Sequence, residues 1–565
     1  MKKTLSILCC LFALSMMTTY AFAGADIVIV NVNAPGVGFN DATPAVPIGG
    51  NTGTTRGEQA LNVFTRAAQI WSQSLDSGVQ IKVEASFEPR TCSTTSAVLG
   101  SAGTKSVDSD FAGAEFPGTW YHEALANKRS GVRQTPGDND IRARFNSELG
   151  KPGCLDGTTW YFGLDDQEAT GQIDLLAVVL HEIGHGLGFS TFVNKVAPDP
   201  AQPLSEDNPA IGHEFFALPD IYERYVSDDI TGSWLGMTDG QRAASMVNDQ
   251  HLVWVGGRVH SAVPQVLSGT PRVTVNSPAA IAGSKPIGTA GFGSPLSSPG
   301  ITRDLVYDSS LGCAAVTPAV AGKIALIDRG VCTFVVKVKN AQNAGALAVI
   351  IADNAPGAPA GLGGADPTIT IPSVRISQAD GVAVKAQLLL GPVNVTMDTD
   401  LTHIAGANAA LDAKLYAPTV IAPGSSVSHW DVSETPNQLM EPFINGDLVA
   451  SVKVPKDLTE SLMRDIGWYP DADTDLVPDD SDSCAGSAVG ASISIVGRST
   501  GVPDKVFPNG CSISQRIDAC AADAANHGGF ASCVAHVGDD AKKAGMISGA
   551  QKGAIQSVAA GAGIP

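Results

Sequence analysis

One decapeptide limits what this 565-residue chain can fold into more than any other stretch: His181-Glu-Ile-Gly-His-Gly-Leu-Gly-Phe-Ser190. It follows an apolar run, Ile173 to Leu180, that reads as a buried helix leading into it. His181 and His185 are four residues apart, so on a helix both imidazoles leave the same face about one turn from each other. Two neutral imidazole nitrogens on one face suit a single zinc ion, and Glu182 lies beside them to act on a zinc-bound water. Gly186 and Gly188 follow at once, where a helix can break and the chain can turn away. A catalytic zinc normally takes a third protein ligand and keeps one position open for water. In the short extended form of the motif that ligand would fall at Thr191, and threonine is a poor zinc ligand. The third ligand must therefore come from further along.

Further along stands Ser428-His-Trp-Asp-Val-Ser-Glu-Thr-Pro-Asn-Gln-Leu-Met-Glu-Pro442. The decapeptide followed at long range by His-Trp-acid and then Leu-Met-x-Pro resembles the leishmanolysin family of metzincin metalloproteases. The resemblance implies an α/β zincin (metzincin-like) protease fold. It implies that His181, His185 and His429 hold zinc and that Glu182 is the general base. Gly188 would end the helix, and Met440 would be the methionine of a turn passing beneath the metal. The implied activity is a secreted zinc endopeptidase that cleaves protein or peptide substrates with zinc-activated water. Two other readings compete. A thermolysin-like site would take Glu206 or Glu214 as third ligand, but the Glu-x-x-x-Asp context of such sites is missing. A secreted binding or adhesion protein with a non-catalytic zinc site would have no need of Glu182.

The formal charge of −20 argues against nucleic acid or an anionic membrane as partner, because either would be repelled. Met1-Lys-Lys-Thr, an apolar stretch and Ala21-Phe22-Ala23 read as a secretory signal, residues 1–23, cleaved before Gly24. No later stretch has the roughly 18 apolar residues of a membrane span. Export to the extracellular space or the periplasm is expected. Of the ten cysteines, Cys9 and Cys10 leave with the signal. An even remainder in an exported chain points to disulfides. Local grouping suggests Cys92–Cys154 and Cys313–Cys332, and leaves two bonds among Cys484, Cys511, Cys520 and Cys533 open.

The protease is expected over residues 24–267 and 399–470, interrupted by an insert at 268–398. Asp26 to Val32, Val79 to Phe87 and Asp140 to Asn146 read as strands, and Gly57 to Leu75 as an amphipathic helix. By analogy with zinc peptidases, Asp140 to Asn146 is a candidate for the edge strand that pairs with extended substrate; the alternative is a plain half-buried strand. In the insert, Ala321–Cys332, Phe334–Gly345 and Ala346–Asp353 read strand, helix, strand. With Thr368 to Ile376 they resemble a protease-associated (PA) domain, which implies a small mixed α/β module that contacts or gates protein substrates. Asp471, Asp473, Asp475, Asp479 and Asp482 have the spacing of an oxygen-liganded calcium loop over 471–484. That loop resembles a single thrombospondin type 3 repeat, with Leu476 where a glycine would ease the turn. The tail, 485–565, is expected to be a small, Cys-containing, mostly helical region, with helices at Ser512–His527 and Asp539–Ala559.

Overall fold

The computed structural model describes residues 24–193, 218–444, 448–471 and 477–564 apart from 480, 485, 487–491 and 508. The expected signal segment, Glu206, Glu214, Asp473 and Asp475 lie outside the described residues. The chain forms two compact units, one of Met1–Asp156, Phe162–Asp165 and Gly467–Pro565, the other of Gly157–Tyr161 and Asp166–Ile466.

The first unit is built on a four-stranded sheet. Its strands are β1 (Ile27–Asn31), β2 (Ile81–Glu88), β3 (Gly100–Thr104) and β4 (Ile141–Asn146), with helices α1 (Arg56–Ser72) and α2 (Glu123–Ser130). The spatial order is β1-β2-β4-β3, parallel except for β3. Strict alternation in β2 turns Ile81, Val83, Ala85 and Phe87 to the core. Its other face carries Glu84, paired with Lys105 at 2.8 Å and Arg142 at 3.4 Å. Helix α1 starts at a capping box between Thr55 and Glu58. It buries Phe64 in an aromatic cluster with Phe39, Phe87 and Phe145, the ring centroids 4.7–5.9 Å apart.

Here the structure corrects one expectation. Strand β4 is not an edge: it is bonded to β2 on one side and to β3 on the other. Its backbone groups are already used, so it cannot pair with a substrate. The outer strands of this sheet are β1 and β3; the Gly-Ser-Ala-Gly-Thr sequence of β3 lacks a β-branched or aromatic pattern and carries no strand signal.

The tail of this unit carries three helices, Ile513–Asp523, His527–Lys543 and Gly549–Ala560. The sequence pattern predicts two, Ser512–His527 and Asp539–Ala559; a helix instead starts at His527, capped by Asn526, and the chain breaks at Gly545 (φ +73°). The two open disulfides are Cys484–Cys511 and Cys520–Cys533; Cys92–Cys154 and Cys313–Cys332 also form.

The second unit contains helix α3 (Leu175–Leu187), which bears both motif histidines. Asp174 caps it by accepting from the Leu176 N–H at 2.8 Å. A short four-stranded sheet uses Val226–Asp228, Gly232–Ser233, Leu252–Trp254 and Ala413–Lys414. Between its third and fourth strands the chain builds a separate module. This holds strands β5 (Gly269–Ser277), β6 (Gly283–Lys285), β7 (Ile287–Thr289), β8 (Ile301–Asp308), β9 (Ile324–Asp328), β10 (Ala348–Ala352), β11 (Ser373–Ile376) and β12 (Asn394–Ile404), with helices α4 (Phe334–Asn343) and α5 (Gln378–Leu388). The order is β6-β5-β12-β8-β9-β10-β11-β7. Strands β9 and β10 are buried along almost their whole length, as continuous apolar runs in a parallel sheet should be. Two apolar clusters form its cores, one around Leu326 and Ile350 and one around Ile327 and Ile351.

The module leaves and rejoins its unit at one point. Gly269 pairs with Ile404, and the Ala405 N–H donates to the Ser268 carbonyl at 3.0 Å. The exit strand thus runs past residue 398, the expected boundary, to Ile404. Its Thr399 and Asp400 are in register with Pro271 and Thr270. Adjacent ends and private cores make the module separable. Replacing Thr270–His403 with a short Gly/Ser linker should leave cooperative thermal unfolding of the remainder, with a midpoint within roughly 5 °C of the parent. Circular dichroism melting of the two proteins checks this; loss of the cooperative transition would make the module an integral part of the unit.

Candidate metal centre

Helix α3 ends where the motif predicts. Gly188 adopts φ +135°, open to glycine and strained for other residues, and its N–H reaches back to the Gly184 and His185 carbonyls. The reversal brings the Phe189 carbonyl onto His185 Nδ1 at 2.8 Å. His429 arrives on a second segment. Its carbonyl accepts from the Tyr416 N–H at 2.9 Å, and its Nδ1 lies 2.8 Å from the Ser425 carbonyl. The third carbonyl comes from the methionine turn: His181 Nδ1 lies 2.8 Å from Leu439 O.

That turn is itself held on several sides. The Leu439 N–H donates to Asp457 at 2.6 Å, and the Leu458 N–H to the Gln438 side chain at 2.9 Å. The Met440 carbonyl accepts from the Trp430 N–H at 2.9 Å, which joins the turn to the segment bearing His429. Met440 is fully buried.

The result is convergence. His181 Nε2 lies 3.1 Å from His185 Nε2 and 3.2 Å from His429 Nε2, although His181 and His429 are 248 residues apart in sequence. Each Nδ1 faces a carbonyl and must carry the proton, so each Nε2 presents a lone pair. Burial pushes His181 down to about 4, against the opposing pull of the Leu439 carbonyl, so it is neutral at pH 7. His185 and His429 are buried, while His181 keeps an edge toward solvent. Lone pairs packed this closely repel unless a cation lies between them. Nitrogens bound to one zinc at about 2.0–2.1 Å with near-tetrahedral angles lie roughly 3.3 Å apart, close to the 3.1 Å and 3.2 Å that separate His181 Nε2 from its two neighbours. The three rings therefore fit a zinc ion. Glu182, on the same helix, is buried at 7% exposure.

Among the described residues no other group of three or more His, Cys, Asp or Glu side chains converges in this way. Thr191 is not part of it; its hydroxyl donates to Asp220 at 2.7 Å. His251 and His260 pair with Asp229 and Asp412 at their own places. Of the acidic loop, Asp482 accepts from the Cys484 N–H at 2.6 Å, and Asp471 and Asp479 lie near the Lys128 ammonium. Buried carboxyls near this segment, Asp431, Glu434, Glu441 and Asp457, carry no signature in the sequence. Burial first, then the nearby Glu441, Asp457 and Asp431, push the Glu434 carboxyl well above the usual carboxylate range.

Residues 301–384 match the PA domain family. Leucine aminopeptidase 2 of Arthroderma otae is 43% identical over 101 residues, 17% of this chain and 20% of that protein. ER degradation-enhancing alpha-mannosidase-like protein 3 of Homo sapiens is 49% identical over 71 residues, 12% of this chain and 8% of that protein. The solved aminopeptidase from Aneurinibacillus sp. is 30% identical, covering 24% of this chain and 31% of that one, with a TM-score of 0.20. The chain thus spans about a fifth of the length of the first curated relatives it matches. The PA domain is the part of the expected organisation that these likenesses show.

The geometry predicts how the site fails. Two imidazoles hold zinc poorly, so His429→Ala should weaken zinc binding by at least about 100-fold, whereas His260→Ala should not change it. Zinc should raise the melting temperature of the parent and of His260→Ala, but not of His429→Ala, because only a ligand bound to the folded state stabilises it. Chelator competition and melting with and without zinc check both; equal affinity in His429→Ala would remove this histidine from the site.

Proposed function

We propose that this chain is an exported zinc endopeptidase of the leishmanolysin-like metzincin kind. One observation carries the reading: His181 Nε2 lies 3.1 Å and 3.2 Å from the Nε2 atoms of His185 and His429, each ring fixed by a main-chain carbonyl, with a buried glutamate on the same helix as two of them. Zinc, when bound by His181, His185 and His429, supplies Lewis-acid polarisation of a peptide carbonyl and a lowered pKa for water. The protein's own part is positioning and proton transfer. The three carbonyls of Phe189, Ser425 and Leu439 keep the rings in one tautomer and orientation. Glu182 accepts the proton of the attacking water and delivers it to the leaving amine. Met440 is packed beneath the site as a floor, and its turn supplies the carbonyl that holds His181.

The PA domain lies outside this centre and serves to contact or gate protein substrates. Asp471, Asp473, Asp475, Asp479 and Asp482 form a calcium loop in this reading, supported by their ligand spacing alone. The signal-like residues 1–23 direct export, and among the described residues no helix is long and apolar enough to cross a membrane.

The names of the relatives raise a second reading, an aminopeptidase. The two differ in what they require of the substrate's amino terminus. An N-terminally blocked, internally quenched peptide should be cleaved at an internal bond, with activity lost to chelator and restored by zinc. Glu182→Ala should keep about one zinc per chain and lose roughly 10²–10⁴-fold in turnover. Cleavage of unblocked peptides alone would favour the aminopeptidase, and undiminished turnover in Glu182→Ala would remove the base.

A further inference from the structure

His429 is delivered by an unusual piece of backbone. Val427, two residues before it, has φ +70° and is fully buried. A β-branched residue in the left-handed region is an outlier, because its Cβ crowds the adjoining carbonyl. Such a conformation persists only where the surroundings enforce it. Here the enforcement is visible. The Val427 N–H donates to the Tyr416 carbonyl at 2.8 Å, and the Val427 carbonyl accepts from the Tyr222 hydroxyl at 2.9 Å. The left-handed residue reverses the chain, and the reversal places the Ser425 carbonyl on His429 Nδ1.

Tyr222 is fully buried and also packs against Phe189, centroids 5.7 Å apart, the residue whose carbonyl holds His185. One side chain thus touches the supports of two ligands. We infer that Tyr222 is a positioning residue for the metal centre: its hydroxyl locks Val427 in the left-handed conformation and so aims His429 at the metal. Burial first, and Asp220 after it, keep the phenol protonated, so the donor is present at any ordinary pH. Asp220 braces the same corner. It accepts from the Thr191 hydroxyl, the Phe192 N–H and the Glu223 N–H, each at 2.7 Å, while the Thr191 N–H reaches Ser428 Oγ at 3.3 Å.

The inference rests on the zinc reading above, and its test separates the two. The full chain is prepared as wild type, Tyr222→Phe, Val427→Gly and the double variant. Zinc affinity is read by chelator competition, and site geometry by the visible bands of the cobalt(II)-loaded proteins. Wild type that binds no zinc overturns the metal centre before any substitution is considered. If wild type binds, Tyr222→Phe should bind zinc about tenfold more weakly and show altered cobalt bands. In the Val427→Gly background, where the left-handed conformation is unstrained, the same substitution should cost less than about threefold. Wild-type affinity and bands in Tyr222→Phe overturn the inference. Equal losses in both backgrounds also overturn it, since the hydroxyl would then act only through general stability. If Tyr222→Phe alone does not fold, a double variant that folds and binds zinc supports the lock, and one that also fails to fold overturns it.

Discussion

Three imidazole lone pairs gathered at one point, that of His181 3.1 Å from His185 Nε2 and 3.2 Å from His429 Nε2, are the constraint that the metal-bearing segments must satisfy. Unassisted, neutral imidazoles would turn away or share a proton. What holds them is a set of three main-chain carbonyls, at Phe189, Ser425 and Leu439, each bonded to an Nδ1 at 2.8 Å. Two of these lie in turns beside the ligand they hold, four residues after His185 and four before His429. The third crosses from the methionine turn to His181. These first two depend on an abrupt reversal of the backbone, at Gly188 and at Val427. The strain in the metal-bearing segments is thus tied directly to ligand orientation.

The division between what the sequence disclosed and what it hid follows from this. His181, Glu182 and His185 stand in a fixed helical spacing, which translates into geometry with little freedom; His429 and Met440 follow from no spacing and entered only through the resemblance that links the two distant motifs. The carbonyls that orient them carry no side-chain signature; any residue supplies one. Tyr222 and Val427 were invisible for a related reason, since neither a lone tyrosine nor a lone valine announces a left-handed turn. Strand β3 is not legible because Gly100–Thr104 has no β pattern, and whether β4 lies at an edge cannot be read locally because strand order is a tertiary fact. In the inserted module, by contrast, the apolar runs of β9 and β10 and the helix between them follow local rules, and they stand where the sequence put them.

Bringing His429 to His181 requires the chain to travel through a whole module and come back. The entropic cost of closing a loop grows only as the logarithm of its length, about 0.6 kcal/mol per doubling, so distance alone is no obstacle. The difficulty is direction: the returning strand must re-enter in register. Strands β5 and β12 solve this as an antiparallel clasp, paired from Gly269↔Ile404 to Ser277↔Asn394 with two register shifts. Arg272 adds a fork across the clasp, with Asp398 at 2.9 Å and 3.1 Å and Asp400 at 2.8 Å. These pairs are partly exposed and contribute modestly to stability; their value is in fixing register. Beyond the clasp the Thr435 carbonyl accepts from the Ser268 N–H at 2.6 Å, so the loop leading into the methionine turn is anchored on the module's own neck. Once the clasp has formed, the residues that must still find one another are those just outside it. The metal centre then assembles as if the module were a short turn.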